Sequence, residues 1–212
     1  MPSRIYVLAG VNGAGKSSIG GEAITASGDC FYNPDVQTRQ LLAANPALSL
    51  ETANAEAWEL GRRGLEQALA GGSQFKFETT LGARTITGML ISGAQVGAEI
   101  HLWYAGLTSP ELHLQRVQSR VAAGGHDITE TKIRQRCVSS VQNLLVLLPH
   151  LASLAVFDNS TEGDPKAGNA PMPVLVLRMM AGRITAMMPL AAVPAWSKPV
   201  VMQALKLTSS SQ

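Results

Sequence analysis

Gly10-Val11-Asn12-Gly13-Ala14-Gly15-Lys16-Ser17-Ser18 is the stretch of this 212-residue chain whose residue types and spacing point most directly at chemistry. Gly10 and Gly15, with four residues between them and Lys-Ser directly after, complete the pattern G-x-x-x-x-G-K-S. The glycines let backbone N–H groups turn inward around a phosphate chain. Lys16 reaches the terminal phosphates as a point charge, and the Ser17 hydroxyl is a ligand for Mg²⁺. A helix that starts at Lys16 aims its positive end at the same place. The expected phosphate contacts are therefore Gly10, Asn12, Gly13, Ala14, Gly15, Lys16, Ser17 and Ser18.

Two uses of such a loop lack their signatures. No N-K-x-D guanine-reading motif follows a later strand, and no L-S-G-G-Q transporter motif is present. "LAVFD" has the shape of a Walker B strand, with Asp158 as a Mg²⁺ partner or as a turn-forming residue. No glutamate follows it to polarise water, and "DNS" reads better as the start of a loop beside the nucleotide base, which makes Asn159 a cofactor contact.

Transfer of the phosphate to a hydroxyl needs a group to accept that hydroxyl's proton. Asp35 is the candidate, at the end of the second strand, where open α/β sheets bind ligands. The other reading is an acidic residue favoured by a helix dipole in the first turn. Asn33 is the expected cap of that helix and a neighbour of the acceptor. Glu78, at the end of "FKFE", can hold a substrate hydroxyl or a Mg²⁺-bound water, or can be a solvated strand end. Arg84 can meet an anionic substrate group or lie on the surface. Arg116 and Arg120 share one side of a helix next to Gly124-Gly125. They read as a closing lid that gathers charge on the phosphoryl group in flight, or as a solvated basic face. His126, Arg134 and Arg136 add positive charge just beyond, and His126 is also a substrate-contact candidate.

The elements that must position these residues alternate. "RIYVLAG", "CFYN", "SQFKFETT", "AEIHLWYAG" and "LAVFD" read as strands. Helices are expected over "KSSIGGEAITAS", "PDVQTRQLLAAN", residues 51–70, "RTITGMLISGAQVG", 109–123 and 129–148. Thr108-Ser109-Pro110-Glu111 has capping-box spacing. This order predicts a three-layer α/β fold, with a five-stranded parallel sheet covered on both faces. The tail changes character: "PVLVLRMM-AG-RITAMMP" predicts a hairpin appendage, followed by a short helix. The expected division is a P-loop kinase core over 1–165 with lid helices around 109–148, and 170–212 packed on the same domain.

Composition narrows the class. Apolar residues make up 46%, charged residues 15%, and the net charge is +2. That predicts a globular chain with no nucleic-acid role. Cys30 and Cys137 are too few for a disulfide scaffold and are expected to be buried thiols. No signal peptide and no membrane span is expected, so the expected setting is cytoplasmic.

The motifs "GVNGAGKSS", "NPD", "FETTL", "RVQSRVAAGGHDI", "VQNLL" and "FDNS" occur in the order found in zeta-toxin-like P-loop kinases, and the chain resembles the short bacterial members of that family over roughly residues 4–160. The resemblance implies an adenylate-kinase-like sheet of order 2-3-1-4-5, ATP and Mg²⁺ as cofactors, and transfer of the γ-phosphate to a small-molecule hydroxyl. In zeta toxins the acceptor is a sugar hydroxyl of UDP-N-acetylglucosamine, and an antitoxin protein is the partner. Carried over, Lys16 and Ser17 match the nucleotide loop and Asp35 the catalytic base. Thr80 and Arg84 match substrate contacts, and Arg116 matches a lid arginine. His126, Arg120 and Arg134 compete for the second lid position. Rival readings are a nucleoside, dinucleotide or other metabolite kinase on the same scaffold, and a partner protein with little turnover of its own.

Overall fold

The computed structural model describes residues 2–17, 19, 31–125, 127–161 and 172–209. Ser18, Cys30, His126 and most of the helix expected after Lys16 lie outside the described residues.

A seven-stranded sheet in the order β2-β3-β1-β4-β5-β6-β7 forms the centre of the molecule. The strands are β1 (Arg4–Ala9), β2 (Phe31–Tyr32), β3 (Gln74–Thr79), β4 (Glu99–Gly106), β5 (Ser153–Asp158), β6 (Val174–Met180) and β7 (Arg183–Met187). The first five are parallel, whereas β6 runs antiparallel to β5 and β7 antiparallel to β6. The expected five-stranded sheet is therefore corrected to seven, and the full order gains two strands at the β5 edge. The hairpin joins the sheet because β5 would otherwise leave a row of unpaired backbone groups along an apolar strand. Ala181 and Gly182 turn it with φ of 48° and 74°, the two positive values of a type I′ turn, which matches the twist of the flanking strands.

Six α-helices are described: α1 (Pro34–Ala44), α2 (Leu50–Gly71), α3 (Arg84–Gln95), α4 (Pro110–Ala122), α5 (Glu130–Leu147) and α6 (Lys198–Ser209). Asn33 caps α1 as its residue type predicts, its Oδ1 accepting from the N–H groups of Asp35 and Val36. The cap of α4 is Ser109, whose Oγ accepts from the Leu112 N–H, and not Thr108. Pro110 fits the first helical position, so the residue before it becomes the cap. α2 buries Ala53, Ala57, Gly61, Leu65 and Ala68, a helical stripe of mostly small residues. Its missing side chains leave room for aromatic rings: a Cβ on Gly61 would meet the Tyr32 ring at 2.6 Å, and one on Gly64 the Phe75 ring at 2.8 Å.

The main core joins both faces of β1, β4 and β5 to α2, α3, α5 and α6. It includes Ile5, Val7, Leu65, Leu90, Ile100, Leu102, Leu144, Leu154, Val156, Leu177 and Val200. A smaller core of Val11, Val117 and Ile133 ties the glycine loop to α4 and α5. Cys137 is half-buried rather than enclosed. Among the described residues no helix is long and apolar enough to cross a membrane.

Candidate active site

β1 lies between β3 and β4, whose chain connections leave in opposite directions, and this opens a crevice at the carboxyl end of β1. The glycine loop occupies it. Gly10 and Gly15 have φ of 145° and 73°, values that L side chains rarely adopt. A Cβ on Gly10 would lie 2.4 Å from the Ala105 carbonyl oxygen, and one on Gly15 2.2 Å from Asn159 Nδ2. That same Nδ2 donates to the Ala14 carbonyl at 3.0 Å. Backbone conformation and close packing both require glycine at position 15. Gly15→Ala is expected to reduce nucleotide affinity at least tenfold while the melting temperature falls by only a few degrees. Equilibrium binding of ATP beside a thermal melt checks this.

Lys16 is nearly enclosed, at 8% exposure. Its Nζ donates to the Gly10 carbonyl at 2.8 Å and lies 3.3 Å from Glu78 Oε1. The other Glu78 oxygen accepts from Asn33 Nδ2 at 2.9 Å. Asn33 caps the helix that carries Asp35, and Asp35 Oδ2 lies 3.7 Å from Arg120 Nη1. A polar chain thus runs from the phosphate loop through Lys16, Glu78 and Asn33 to the Asp35 backbone N–H, and the Asp35 carboxylate is ion-paired with α4. Among the described residues Arg120 Nε and Nη2 are buried without a hydrogen-bond partner, an arrangement suited to an anion that brings its own oxygens. Arg116 lies beside the loop, its Nη1 3.8 Å from the position of a Gly15 Cβ, and its Nη2 faces the Thr161 carbonyl at 3.5 Å.

A cleft of about 580 Å³ opens beside this chain. Asn12, Lys16, Asp35, Glu78, Thr80 and Arg136 line its polar side, and Tyr32, Trp58 and Phe77 its aromatic side. The Thr80 carbonyl accepts from Ser140 Oγ at 2.7 Å, and that hydroxyl also bonds the Tyr104 hydroxyl at 2.8 Å, which fixes the strand end against α5. Arg84 does not line the cleft; it starts α3 and is exposed. Ser17 is exposed at the start of the helix after the loop. His126 and Ser18 lie outside the described residues.

Of the basic residues after the Gly124-Gly125 turn, the tertiary structure separates two that the sequence leaves alike. Arg134 is held on the surface by Glu111 at 2.8 Å and Glu130 at 2.7 Å. Arg136 faces inward, its Nη1 donating to Asn12 Oδ1 in the glycine loop at 2.7 Å. Burial lowers its pKa from the ordinary guanidinium value, with Asp35 opposing that shift. The sequence signal for Arg136 was its position one residue before Cys137 on the inward side of α5. Periodicity alone could not set that side against the loop.

Sequence reading did not single out His113. It is buried in the first turn of α4, and its Nδ1 bonds the Asn12 carbonyl at 2.8 Å. A carbonyl can only accept, so Nδ1 carries the proton. Burial, helped by Lys16 and Arg116, lowers the pKa to about 4. The unfolded chain takes up this proton near pH 6.5 and the folded chain only near 4. The stability of neutral His113 is therefore complete above pH 6.5 and lost as pH falls toward 4, on the order of 2–3 kcal/mol. Urea unfolding of the wild type between pH 7 and 4.5 is expected to show this loss, and His113→Gln is expected to flatten it.

Among the described residues no group of three His, Cys, Asp or Glu side chains could hold a metal ion. Mg²⁺ brought by a nucleotide takes one or two protein groups and completes its shell with phosphate oxygens and water. The loop glycines, Lys16 and the exposed Ser17 hydroxyl fit such a ligand. Asp158 is engaged elsewhere: its Oδ1 accepts from Ser160 Oγ and Trp196 Nε1.

No protein-family model matches the chain. It is 29% identical over 136 residues to an uncharacterized protein of Haemophilus influenzae, covering 64% of this chain and 94% of that protein. The solved complex AvrRxo1-ORF1:AvrRxo1-ORF2 with sulphate ions superposes with a TM-score of 0.64 at 18% identity, over 88% of this chain and 61% of that one. The same complex with ATP gives 0.64 at 18%, over 98% and 64%. This chain thus spans under two thirds of those two chains. The PezAT toxin-antitoxin system of Streptococcus pneumoniae gives 0.58 at 16%, over 99% and 85%. This chain shares its fold with the AvrRxo1-ORF1:AvrRxo1-ORF2 and PezAT structures, in keeping with the resemblance of its motifs to zeta-toxin-like P-loop kinases.

Proposed function

We propose that the protein is an ATP-dependent kinase that transfers the γ-phosphate to a hydroxyl of a small molecule bound in the cleft. The observation that carries this reading is the polar chain from Lys16 through Glu78 and Asn33 to Asp35. It joins a phosphate-holding loop directly to an acceptor pocket. A nucleotide sensor or motor has no need of the second half.

In this reading the acceptor hydroxyl lies against Asp35, which takes its proton as the oxygen bonds to the γ-phosphorus. The bond from that phosphorus to the bridging oxygen breaks, and ADP leaves. Lys16 exchanges Glu78 for phosphate oxygens, while Arg116, Arg120 and Arg136 offset the charge spread over the phosphoryl group. Glu78, released from Lys16, stays bonded to Asn33 and turns its free oxygen toward the acceptor. Thr80 contacts the acceptor from the strand end, and Tyr32 and Trp58 offer aromatic faces for it. Mg²⁺, held by Ser17 and the nucleotide, would supply further charge neutralisation at the β- and γ-phosphates. Asn159 supports the nucleotide side. A cytoplasmic setting belongs to the same reading, because ATP is there.

The ATP-bound AvrRxo1 complex supports ATP as the donor. The acceptor belongs to the proposal, with UDP-N-acetylglucosamine or another sugar nucleotide first among the compounds to test. Incubation with ATP, Mg²⁺ and a metabolite panel, read by mass spectrometry, is expected to show one compound gaining one phosphate, with Lys16→Ala as the blank. No gain on any compound, with ATP hydrolysed at the same rate in their absence, would overturn the reading.

A second reading rests on the AvrRxo1-ORF1:ORF2 and PezAT structures, whose names describe a two-protein complex and a toxin-antitoxin system. In it this chain is a kinase held by a protein partner. Co-purification of a small protein encoded beside it would favour that reading, and an isolated monomer with full turnover would disfavour it.

A further inference from the structure

The carboxyl end of β5 is held by the C-terminal segment. Trp196 lies in a single 3₁₀ turn, Ala195–Ser197, just before α6. Its indole N–H donates to Asp158 Oδ1 at 3.1 Å, the oxygen that also accepts from Ser160 Oγ at 2.6 Å. The Ser160 hydroxyl in turn accepts the Thr108 N–H at 2.8 Å. The next residue, Asn159, donates its backbone N–H to the Gly106 carbonyl at 3.0 Å and its side-chain amide to the Ala14 carbonyl inside the phosphate loop at 3.0 Å. The Trp196 ring fills the space over Gly106, where a Cβ would meet its Cη2 at 2.3 Å, and stacks on Tyr104 with centroids 5.9 Å apart. The segment is itself anchored: Val193, Val200, Val201 and Ala204 belong to the main core. A carboxylate in the position of a Walker B aspartate thus gives its acceptor capacity to the tail.

We propose that Trp196 and Asp158 are positioning residues for nucleotide binding. The tail holds the β5 end, the β5 end holds Asn159, and Asn159 holds the phosphate loop in its binding shape. The proposal rests on the reading that this loop binds ATP.

The test uses the full chain and measures Mg²⁺/ATP affinity by calorimetry for the wild type, Trp196→Phe, Asp158→Asn and Asp158→Ala, each with a thermal melt. Asp158→Ala removes the acceptor and leaves the Trp196 ring over Gly106. It is expected to weaken ATP binding about 3- to 10-fold, the scale of one lost buried hydrogen bond. Trp196→Phe removes the N–H together with the ring carbons over Gly106 and is expected to fall at least as far. Asp158→Asn keeps a carbonyl oxygen for both donors and is expected to stay within about twofold of wild type. Rescue by the amide is the outcome that general loosening of the fold would not give. Wild-type affinity in Trp196→Phe and Asp158→Ala would overturn the proposal. So would affinity losses that follow melting temperature in all three variants. Absence of ATP binding in the wild type would overturn the kinase reading and this proposal together. Wild-type binding with no response in the variants would overturn this proposal alone.

Discussion

Asp35→Asn is expected to lower phosphate transfer about 10³-fold while ATP affinity stays within about twofold. The amide cannot take the proton from an acceptor hydroxyl, and a positioned base contributes on the order of 10²- to 10⁴-fold. The change is nearly isosteric. The cap of α1 uses the Asp35 backbone N–H and the Asn33 side chain, so the helix start survives. Lys16 Nζ is held by the Gly10 carbonyl and Glu78, and the substitution leaves both contacts in place. The substitution does remove the negative partner of Arg120, 3.7 Å away. A second variant separates this effect: Arg120→Gln removes the same ion pair but keeps the carboxylate, and is expected to reduce transfer far less than Asp35→Asn. Single-turnover transfer to the identified acceptor is the measurement. Near-normal transfer by Asp35→Asn would leave Asp35 as a first-turn residue favoured only by the helix dipole.

Lys16→Ala is expected to abolish ATP binding and, in the nucleotide-free chain, to destabilise the fold by about 2–3 kcal/mol. The second effect follows from Glu78, which is only 17% exposed and would keep one donor, Asn33, after losing its cation. Removing one member of a buried ion pair leaves the other charge uncompensated. Adding Glu78→Gln to Lys16→Ala is therefore expected to restore most of the lost stability and none of the binding, since a neutral amide needs no counter-charge there. Urea unfolding of the two single variants and the double variant, beside ATP titrations, reads both outcomes. If Glu78→Gln restores no stability, the cost comes from the lost bond to the Gly10 carbonyl. In the same framework Lys16 changes partner when ATP binds, and Glu78 is freed toward the acceptor only then.

The geometry of the loop was legible because it is local. Gly10, Gly15, Lys16 and Ser17 lie within eight consecutive residues, and short-range backbone geometry alone sets their arrangement. The alternation of strands and helices was legible for the same reason: apolar period and caps such as Asn33 act over a few residues. Where a cap was misplaced, at Thr108 rather than Ser109, the error was one residue and its cause, Pro110, was also local. The hairpin's strands and its Ala181-Gly182 turn could be read directly. Their joining of the main sheet could not, because pairing with β5 depends on which edge lacks a partner once five other segments are in place.

What only the tertiary structure decided were contacts between residues far apart in the chain. Arg134 and Arg136 are the same residue type two positions apart on one helix. Docking of α5 against the loop turned Arg136 to Asn12 and left Arg134 with Glu111 and Glu130. Arg84, equally plausible by position, starts α3 beside the cleft but is exposed and does not line it. The pairing of Lys16 with Glu78, the buried neutral His113 on the Asn12 carbonyl and the Trp196–Asp158 bond all join segments from different parts of the chain. The sequence by itself determined the glycine-loop pattern and the strand and helix that flank it. Packing decided which acid, arginine and tail residue surround it, because a hydrogen-bond partner is set by distance in space and local periodicity carries no information about that distance.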